Sequence, residues 1–427
     1  MNILLVFCWS TTNIGDIVIT PGTLELLHEH FPGAKVTVIG SQLGEKSELS
    51  ERNLKALTTR PYTFVPNPFG DIMQGDHLQA YAYASQAYFE SGRFLKRLHR
   101  SSPDAARAFL EADLVLLNPG MMLTLNNQGA EGQSKRLLTF WIPLLLAAGT
   151  GTPFALWGQS CGPLEWPGTE MARRFLPQSC FITTRETRSL EFLQRLGIRG
   201  PRMAFAPDTT IHFDRRDDAW ADAFLARHGL EPEKFLTVIV RTYGWWQKPI
   251  EGERLERHMQ TIADVISGWV RDTGLPVAIV PEVQREIPRA REHLLPRLPD
   301  EVRARCAVFE GYWLPDQAKA LYRRTRALVS MELHSILLSL PEGTPIVHVY
   351  FDEMGPKTWA VKDAGLEDFL FDIDSCGPEE IGEALRRIHN DRAAISERVL
   401  AGARYFRETG HARMRELKET LGDLARG

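Results

Sequence analysis

Residues 330–353, SMELHSILLSLPEGTPIVHVYFDE, contain one strand–helix–strand unit. A strand ends at Ser330, a helix begins directly after it, and a second apolar strand follows the turn sequence PEGTP. Glu332 and His334 stand where the first strand gives way to the helix. In open parallel sheets, ligands bind beyond the carboxyl ends of the strands, so both residues are candidate site residues.

The same alternation of strands and helices extends through the whole chain. Apolar runs predict strands at 3–7, 35–39, 113–117, 153–157, 203–206, 235–241, 276–280, 327–330, 345–350 and 369–373, with a further strand just before Arg185. Amphipathic patterns predict helices between the strands, for example at 254–272 and 379–389. Continuous apolar strands that alternate with helices are typical of parallel α/β domains.

An internal similarity indicates two such domains. The segments GTPFALWGQSCGP (151–163) and GTPIVHVYFDEMGP (343–356) both begin with Gly-Thr-Pro, continue into a strand and end in Gly-Pro. We therefore expect Rossmann-like domains at 1–215 and 216–391 that face each other across a cleft. We expect a charged helical segment at 392–427 to pack back on the first domain.

Composition excludes several classes of protein. The 427 residues carry a formal net charge of −4, which gives no basic field for extended nucleic-acid binding. Five scattered cysteines, without metal-ligand spacing, indicate reduced thiols in the cytoplasm. The apolar run at 137–148 is shorter than the roughly 20 residues that a membrane-spanning helix needs. The N-terminus lacks the basic segment of a signal peptide.

Candidate site residues of the first half follow its strands. Asn13, Gly15 and Asp16 fall in a predicted loop before a helix that we expect to begin at Thr20 and Pro21. This loop is either an anion site or an ordinary turn. Gly120, Gln159, Ser160, Arg185 and Asp208 come after later strands, where Arg185 suits either a ligand or an ion pair.

The second half repeats this placement. Arg241 ends a strand and offers a planar guanidinium for a carboxylate or phosphate. Trp245 suits stacking on a sugar or burial in an interface. Glu282 follows the next strand. Tyr350 and Lys357 come after the strand that follows Glu332 and His334.

Taken together, these motifs resemble the polysaccharide pyruvyl transferase family over roughly residues 1–375. The matching positions are Asn13, Gly15, Asp16, Gly158, Ser160, Gly162, Pro163, Arg185, Glu186, Ser189, Arg241, Gly343, Pro345, Tyr350, Asp352 and Lys357. The resemblance implies a GT-B-like fold. It also implies transfer of a pyruvyl group from phosphoenolpyruvate to a saccharide hydroxyl.

Glu332 departs from the family, which typically has Arg-x-His where this chain has Glu332-Leu333-His334. The family's arginine resembles a ligand of the donor phosphate. A unit-charge pair at about 4 Å contributes about 4 kcal/mol at an effective dielectric of about 20, and charge reversal adds a similar repulsion. Either Arg185, Arg241 and Lys357 hold the donor, or the donor is not phosphoenolpyruvate. We expect the Glu332 carboxylate to meet a hydroxyl or a cationic group.

The resemblance implies acid–base chemistry without a metal or another cofactor. His334 is the candidate general acid because imidazole titrates near neutrality. Asp16 or Asp208 would position or deprotonate the saccharide hydroxyl. Two alternatives stay open. One is a GT-B glycosyltransferase that uses a nucleotide sugar, and the other is a non-catalytic saccharide-binding protein. The sequence also leaves a homo-oligomer open.

Overall fold

The computed structural model describes residues 1–9, 12–70, 75–125, 129–244 and 248–426. The chain divides into two compact units. Unit 1 contains Met1–Thr11, Ile19–His212 and Glu408–Gly427, and unit 2 contains Thr12–Val18 and Phe213–Arg407.

Unit 1 is built on a parallel sheet. Its strands are β1 (Asn2–Cys8), β2 (Lys35–Gly40), β3 (Thr63–Val65), β4 (Leu114–Leu117), β5 (Gly120–Leu123), β6 (Phe154–Cys161), β7 (Phe181–Thr184) and β8 (Arg202–Phe205). The order is β3-β2-β1-β4-β6-β7-β8, and β5 pairs with β6. Every pairing is parallel. The order reverses between β1 and β4, as in a doubly wound Rossmann fold.

The helices along this part of the chain connect successive strands. They are α1 (Ile14–His30), α2 (Glu45–Leu57), α3 (His77–Phe89), α4 (Ser91–Ser101), α5 (Pro103–Glu111), α6 (Gly129–Thr150), α7 (Gly168–Phe175) and α8 (Thr187–Arg195), with short 3-10 turns at Leu176–Gln178 and Thr209–His212.

Unit 2 has its own parallel sheet. Its strands are β9 (Leu236–Ile239), β10 (Val277–Ile279), β11 (Cys306–Val308), β12 (Ala327–Ser330), β13 (Ile346–Tyr350) and β14 (Leu370–Asp372). The order β11-β10-β9-β12-β13-β14 is that of a Rossmann fold, with its switch point between β9 and β12. All its strand pairs are parallel. The predicted fold class of two Rossmann-like domains is therefore confirmed.

The helices of the second half are α9 (Asp218–His228), α10 (Gly252–Thr273), α11 (Glu286–Arg289), α12 (Asp300–Arg303), α13 (Pro315–Arg324), α14 (Leu333–Ser339), α15 (Ala360–Asp363), α16 (Pro378–Asn390) and α17 (Arg392–Leu424). Short 3-10 turns lie at Leu295–Arg297, Leu340–Glu342, Asp352–Met354, Pro356–Trp359 and Glu367–Phe369, and a π-turn lies at Ala290–Leu294. None of the helices in the described part of the chain has the length and apolarity to cross a bilayer.

The last helix, α17, packs on unit 1 as expected. Its residues Met414 and Leu417 are buried in a hydrophobic cluster with Leu5, Val38 and Phe181 from three strands of that sheet. Burial of apolar side chains at about 25 cal/mol per Å² holds this helix against the sheet.

The predicted start of helix α1 is wrong. The helix begins at Ile14, so Pro21 lies inside it, and Asn13 to Asp16 form its entry and first turn rather than a loop. Asn13 makes this start possible, because its side-chain Oδ1 accepts a hydrogen bond from the Gly15 N–H at 2.8 Å. The sequence pattern favoured Pro21 as the first helical residue because proline usually interrupts a helix interior.

Three strands were not predicted. Both β3 and β11 have only three residues, and neither is fully buried. Strand β5 begins at a glycine that follows Asn118 and Pro119, a combination more typical of turns. Such short segments take their extended form from neighbouring strands rather than from their own sequence.

Helix α1 packs too closely at Gly22 for any side chain. A Cβ atom there would lie 2.0 Å from the Thr209 carbonyl oxygen. We expect Gly22→Ala to destabilise unit 1 by about 1–3 kcal/mol or more, seen as a fall of roughly 5 °C in its melting temperature. Gly92→Ala is the control, because a Cβ at that helical glycine would meet nothing within 4 Å. Equal melting temperatures for both variants would contradict the close packing.

Candidate functional site

The switch point of unit 2 carries a buried ion pair. Arg241 follows β9 and Glu332 follows β12, and these two strands are neighbours in the sheet. The Arg241 Nη1 donates to Glu332 Oε2 at 2.5 Å. Both side chains are almost completely buried, at 5% and 1% exposure. The Glu332 carboxylate is thus held by a cation of the same unit.

Further contacts fix this pair. Arg241 Nε donates to the Tyr243 carbonyl at 2.5 Å, and Lys357 Nζ lies 3.7 Å from Glu332 Oε2. Burial lowers the pKa of Arg241, but Glu332 and other carboxylates outweigh burial and raise it, so the guanidinium stays charged. Glu332 Oε1 is buried and has no hydrogen-bond partner in the described ranges. It is an acceptor that a ligand hydroxyl would satisfy.

Glu282, beyond β10, is a second buried carboxylate. Its Oε2 accepts from the Ser335 N–H at 2.7 Å and from the Ser335 hydroxyl at 2.6 Å, while Oε1 lies 3.3 Å from His334 Nδ1. Glu282 therefore caps α14, a role that usually falls to the residue just before the helix. That residue is Glu332, whose side chain makes no capping bond and pairs with Arg241 instead.

The charge of Glu282 is secured by the groups around it. Burial raises the pKa of this carboxyl, but His334, Lys357 and Ser335 outweigh burial and hold the pKa below its usual range. An ionised Glu282 fixes the orientation of the His334 ring through Nδ1, as carboxylates do for functional histidines elsewhere.

Gly15 lies directly against this pair. A Cβ atom at residue 15 would fall 2.3 Å from His334 Nδ1 and 2.6 Å from Glu282 Oε1. Backbone bonds hold this position, because the Ile14 N–H donates to the Glu282 carbonyl at 3.1 Å and the Gln284 N–H donates to the Thr12 carbonyl at 2.9 Å. A glycine is thus the residue that allows the start of α1 to meet the histidine.

Two buried groups near this site were missed from the sequence. Burial raises the pKa of Glu286 to about 7, against hydrogen bonds from the Thr242 N–H and hydroxyl. Burial lowers the pKa of His348 to about 4, and its Nδ1 lies 2.8 Å from the Ser330 carbonyl oxygen. Glu286 lies on a helix and His348 inside a strand. The rule that site residues follow strand ends therefore selects neither of them.

A separate polar network lies in unit 1, where Arg185 follows β7. Gln159 and Ser160 lie inside β6, which continues to Cys161, and not after this strand as predicted. Arg185 Nη1 donates to Asp208 Oδ2 at 2.8 Å, and Arg185 Nε donates to the Ser160 hydroxyl at 2.6 Å. Ser160 in turn donates to Glu186 at 3.0 Å, and Thr210 donates to Asp208. All these side chains are buried. Of the two sequence-based alternatives for Arg185, the ion pair is the one present here.

Gln159 and Gly120 lie in the same part of unit 1. The Gln159 Nε2 donates to the carbonyls of Asn118 and Trp157 at 2.8 and 2.9 Å. Gly120 begins β5, close to the Trp9 ring.

The structure sorts the candidates into two groups. Gly15, Arg241, Glu282, Glu332, His334 and Lys357 meet in unit 2, whereas Ser160, Arg185 and Asp208 meet in unit 1. Asp16 is half-buried in the first turn of α1, and Tyr350 ends β13. Trp245 lies outside the described residues. A single cleft shared by all these residues stays a prediction.

Solved structures with a similar fold include a UDP-GlcNAc 2-epimerase and two proteins determined with bound UDP. The UDP-GlcNAc 2-epimerase from Methanocaldococcus jannaschii aligns with a TM-score of 0.57 and 12% identity, covering 95% of this chain and 99% of that one. Anabaena HepE in complex with UDP and glucose aligns with a TM-score of 0.57 and 13% identity, covering 99% of this chain and 100% of that one. Staphylococcus aureus MnaA with UDP aligns with a TM-score of 0.57 and 11% identity, covering 94% of this chain and 91% of that one. At such identities the likeness establishes the fold, which is that of GT-B proteins.

The family follows from the sequence itself. Residues 13–353 match the polysaccharide pyruvyl transferase family, so this chain belongs to that family of transferases. The match begins at Asn13 and extends past Glu332 and His334. A search among curated proteins gave no significant match.

The raised pKa of Glu286 predicts that the stability of the protein depends on pH. The pKa of about 7 in the folded state exceeds the ordinary 4.5, so the folded protein binds the proton more tightly. The resulting stabilisation, at most about 3 kcal/mol, is complete below pH 4.5 and is lost as the pH rises through about 7. We expect Glu286→Gln to remove this dependence, so that its melting temperature changes less than that of the parent between pH 5 and pH 8.

The control is Glu301→Gln, because Glu301 is exposed to solvent. Its profile should follow the parent. If Glu286→Gln also follows the parent across the whole pH range, then the Glu286 carboxyl is ionised when buried and the assignment is wrong.

Proposed function

We propose that this transferase moves a pyruvyl group from phosphoenolpyruvate to a saccharide during cytoplasmic glycan synthesis. The observation that carries the proposal is the meeting of Gly15, Glu282 and His334 in unit 2. Gly15 and His334 are separated by most of the family match, yet a glycine is the residue that fits against the ring.

His334 is the proposed general acid. It would donate a proton to the methylene carbon of phosphoenolpyruvate while a saccharide hydroxyl adds to the neighbouring carbon. The phosphate then leaves with its bonding electrons, and a second hydroxyl closes the ketal. Of the two hydroxyl protons, one replaces the proton spent by His334 and the other leaves with the phosphate. Glu282 positions the ring throughout.

Asp16 is the residue proposed to position or deprotonate the saccharide hydroxyl. It belongs to unit 2 and lies in the same first turn of α1 as Gly15. Asp208, the other candidate, holds Arg185 and Thr210 in unit 1. We assign Asp208 to positioning Arg185.

The anion site would be weaker than that of an arginine-bearing relative. Arg241 and Lys357 supply two positive charges, and Glu332 cancels one of them at close range. Phosphoenolpyruvate would therefore have to compete with Glu332 for Arg241. In a buried setting such competition is costly, because one carboxylate must lose its partner.

A second candidate follows from Glu332 Oε1. This buried acceptor lacks a hydrogen-bond partner among the described residues, and a sugar hydroxyl would satisfy it. The structures of similar fold with UDP or glucose make a nucleotide-sugar donor the natural alternative. Under this proposal Glu332 selects the donor by its hydroxyl groups and not by its phosphate.

Calorimetric titration separates the two donors. If the donor is phosphoenolpyruvate, Glu332→Gln should bind it roughly tenfold more tightly than the parent, because a buried repulsion is removed. If the donor is a nucleotide sugar, the same change should weaken UDP-glucose or UDP-GlcNAc and leave phosphoenolpyruvate unbound.

Glu353→Gln is the matched control, because Glu353 also pairs with an arginine of unit 2, Arg254, but is half-exposed. Should neither ligand class bind the parent protein, both donor proposals fail and a non-catalytic saccharide-binding role takes their place.

His334→Asn tests the proposed acid. With phosphoenolpyruvate and a panel of saccharides, we expect phosphate release to fall by about 10²–10⁴-fold while the donor affinity changes little. The variant should stay folded, because asparagine keeps a side-chain hydrogen-bond donor beside Glu282. His99→Asn is the control, since His99 is exposed on α4. Phosphate release near the parent rate from the His334 variant would show that the histidine only supports the fold.

A further inference from the structure

A histidine pair joins two distant helices in unit 1. His30 ends helix α1, and His411 lies in α17. The His30 Nε2 is 3.0 Å from His411 Nδ1, and the residues are 381 positions apart in the sequence. Glu29, next to His30, places Oε1 at 3.3 Å from the same His411 nitrogen. The three ligand atoms all lie within 4.8 Å of one another.

We propose that Glu29, His30 and His411 bind a divalent transition-metal ion of the zinc type. Two imidazole nitrogens and a carboxylate oxygen are a donor set that Zn²⁺ accepts, with a water completing four-coordination. The proposal is independent of the proposed reaction. The site lies in unit 1, whereas His334, Glu282 and Arg241 lie in unit 2.

The observed distances fit such an ion. Metal–ligand distances near 2.0–2.1 Å in a tetrahedron put neighbouring ligand atoms about 3.3 Å apart. The His30–His411 and His411–Glu29 separations are 3.0 and 3.3 Å. Small side-chain rotations would therefore let one ion replace the hydrogen bond between the rings.

A third histidine packs against one of the ligands. The edge of His212 packs against the His411 ring at 5.0 Å between centroids, which restricts the rotation of that ring.

Two cations oppose metal binding. Arg415 and Lys418, on the same face of α17, act on His30 as positive charges. Glu29 supplies the negative charge that offsets one of them. We therefore expect an affinity below that of closed structural zinc sites, which use four protein ligands.

Metal binding would cross-link two helices. An ion held by both helices would fasten α17 to the end of α1, in addition to the apolar contacts of Met414 and Leu417. Because such a site exists in the folded state only, binding should stabilise the protein in proportion to the logarithm of metal concentration.

The test uses the untagged full-length chain, stripped of metal and titrated with ZnCl₂ in a buffer that does not chelate. We expect one saturable site by calorimetry and a rising melting temperature of the unit 1 transition. Co²⁺ should give the visible absorption of a tetrahedral site. Glu29→Gln should weaken Zn²⁺ binding roughly tenfold, and the double variant His30→Gln with His411→Gln should abolish it.

His99→Gln is the control for adventitious binding to exposed histidines, and it should behave as the parent does. Glu29 is exposed, so its variant stays interpretable even if the double histidine variant fails to fold. A parent protein without saturable Zn²⁺ binding would overturn the proposal. The same holds if Glu29→Gln and the folded double variant bind Zn²⁺ as tightly as the parent.

Discussion

The buried carboxylate of Glu282 is the constraint on which the site in unit 2 depends. A charge with 1% exposure is tolerated when several donors surround it, and Ser335 and His334 take that role at the start of α14. The position of α14 relative to β10 follows from these bonds. The carboxylate also requires a glycine at residue 15, because no side chain fits between the backbone of that residue and the carboxylate. A single buried charge thereby brings three distant segments of the chain together.

Glu282 also explains why the helix tolerates Glu332 in its unusual role. A residue just before a helix normally uses its side chain to accept a backbone N–H of the first turn. Because Glu282 accepts that bond from Ser335, the Glu332 side chain is released to pair with Arg241. The acid at residue 332 is therefore accommodated by the protein without a ligand. Its charge would oppose the binding of an anionic ligand more than it disturbs the fold.

Much of this arrangement was predictable from local sequence. Alternating apolar runs indicated the two parallel sheets, and the rule that ligands lie beyond strand ends selected Arg241, Glu282, Glu332 and Lys357. The start of α1 was not predictable, since its cap depends on Asn13 and on backbone bonds to residues near Glu282. The contact of His30 with His411 was also hidden, because nothing in the pattern of either helix specifies a partner 381 residues away.

The two buried arginines differ in what a ligand would have to break. Arg185 donates from Nε to Ser160 and from Nη1 to Asp208, and Glu186 lies within 3.9 Å. Releasing it would leave Asp208 buried without its cation, at a cost of several kcal/mol. In unit 2, Lys357 remains 3.7 Å from Glu332 and would keep that carboxylate partly compensated if Arg241 turned to a ligand. Exchange of partners is thus cheaper in unit 2. For this reason we propose that Arg241 and Lys357 would recognise the donor and that Arg185 has a structural role.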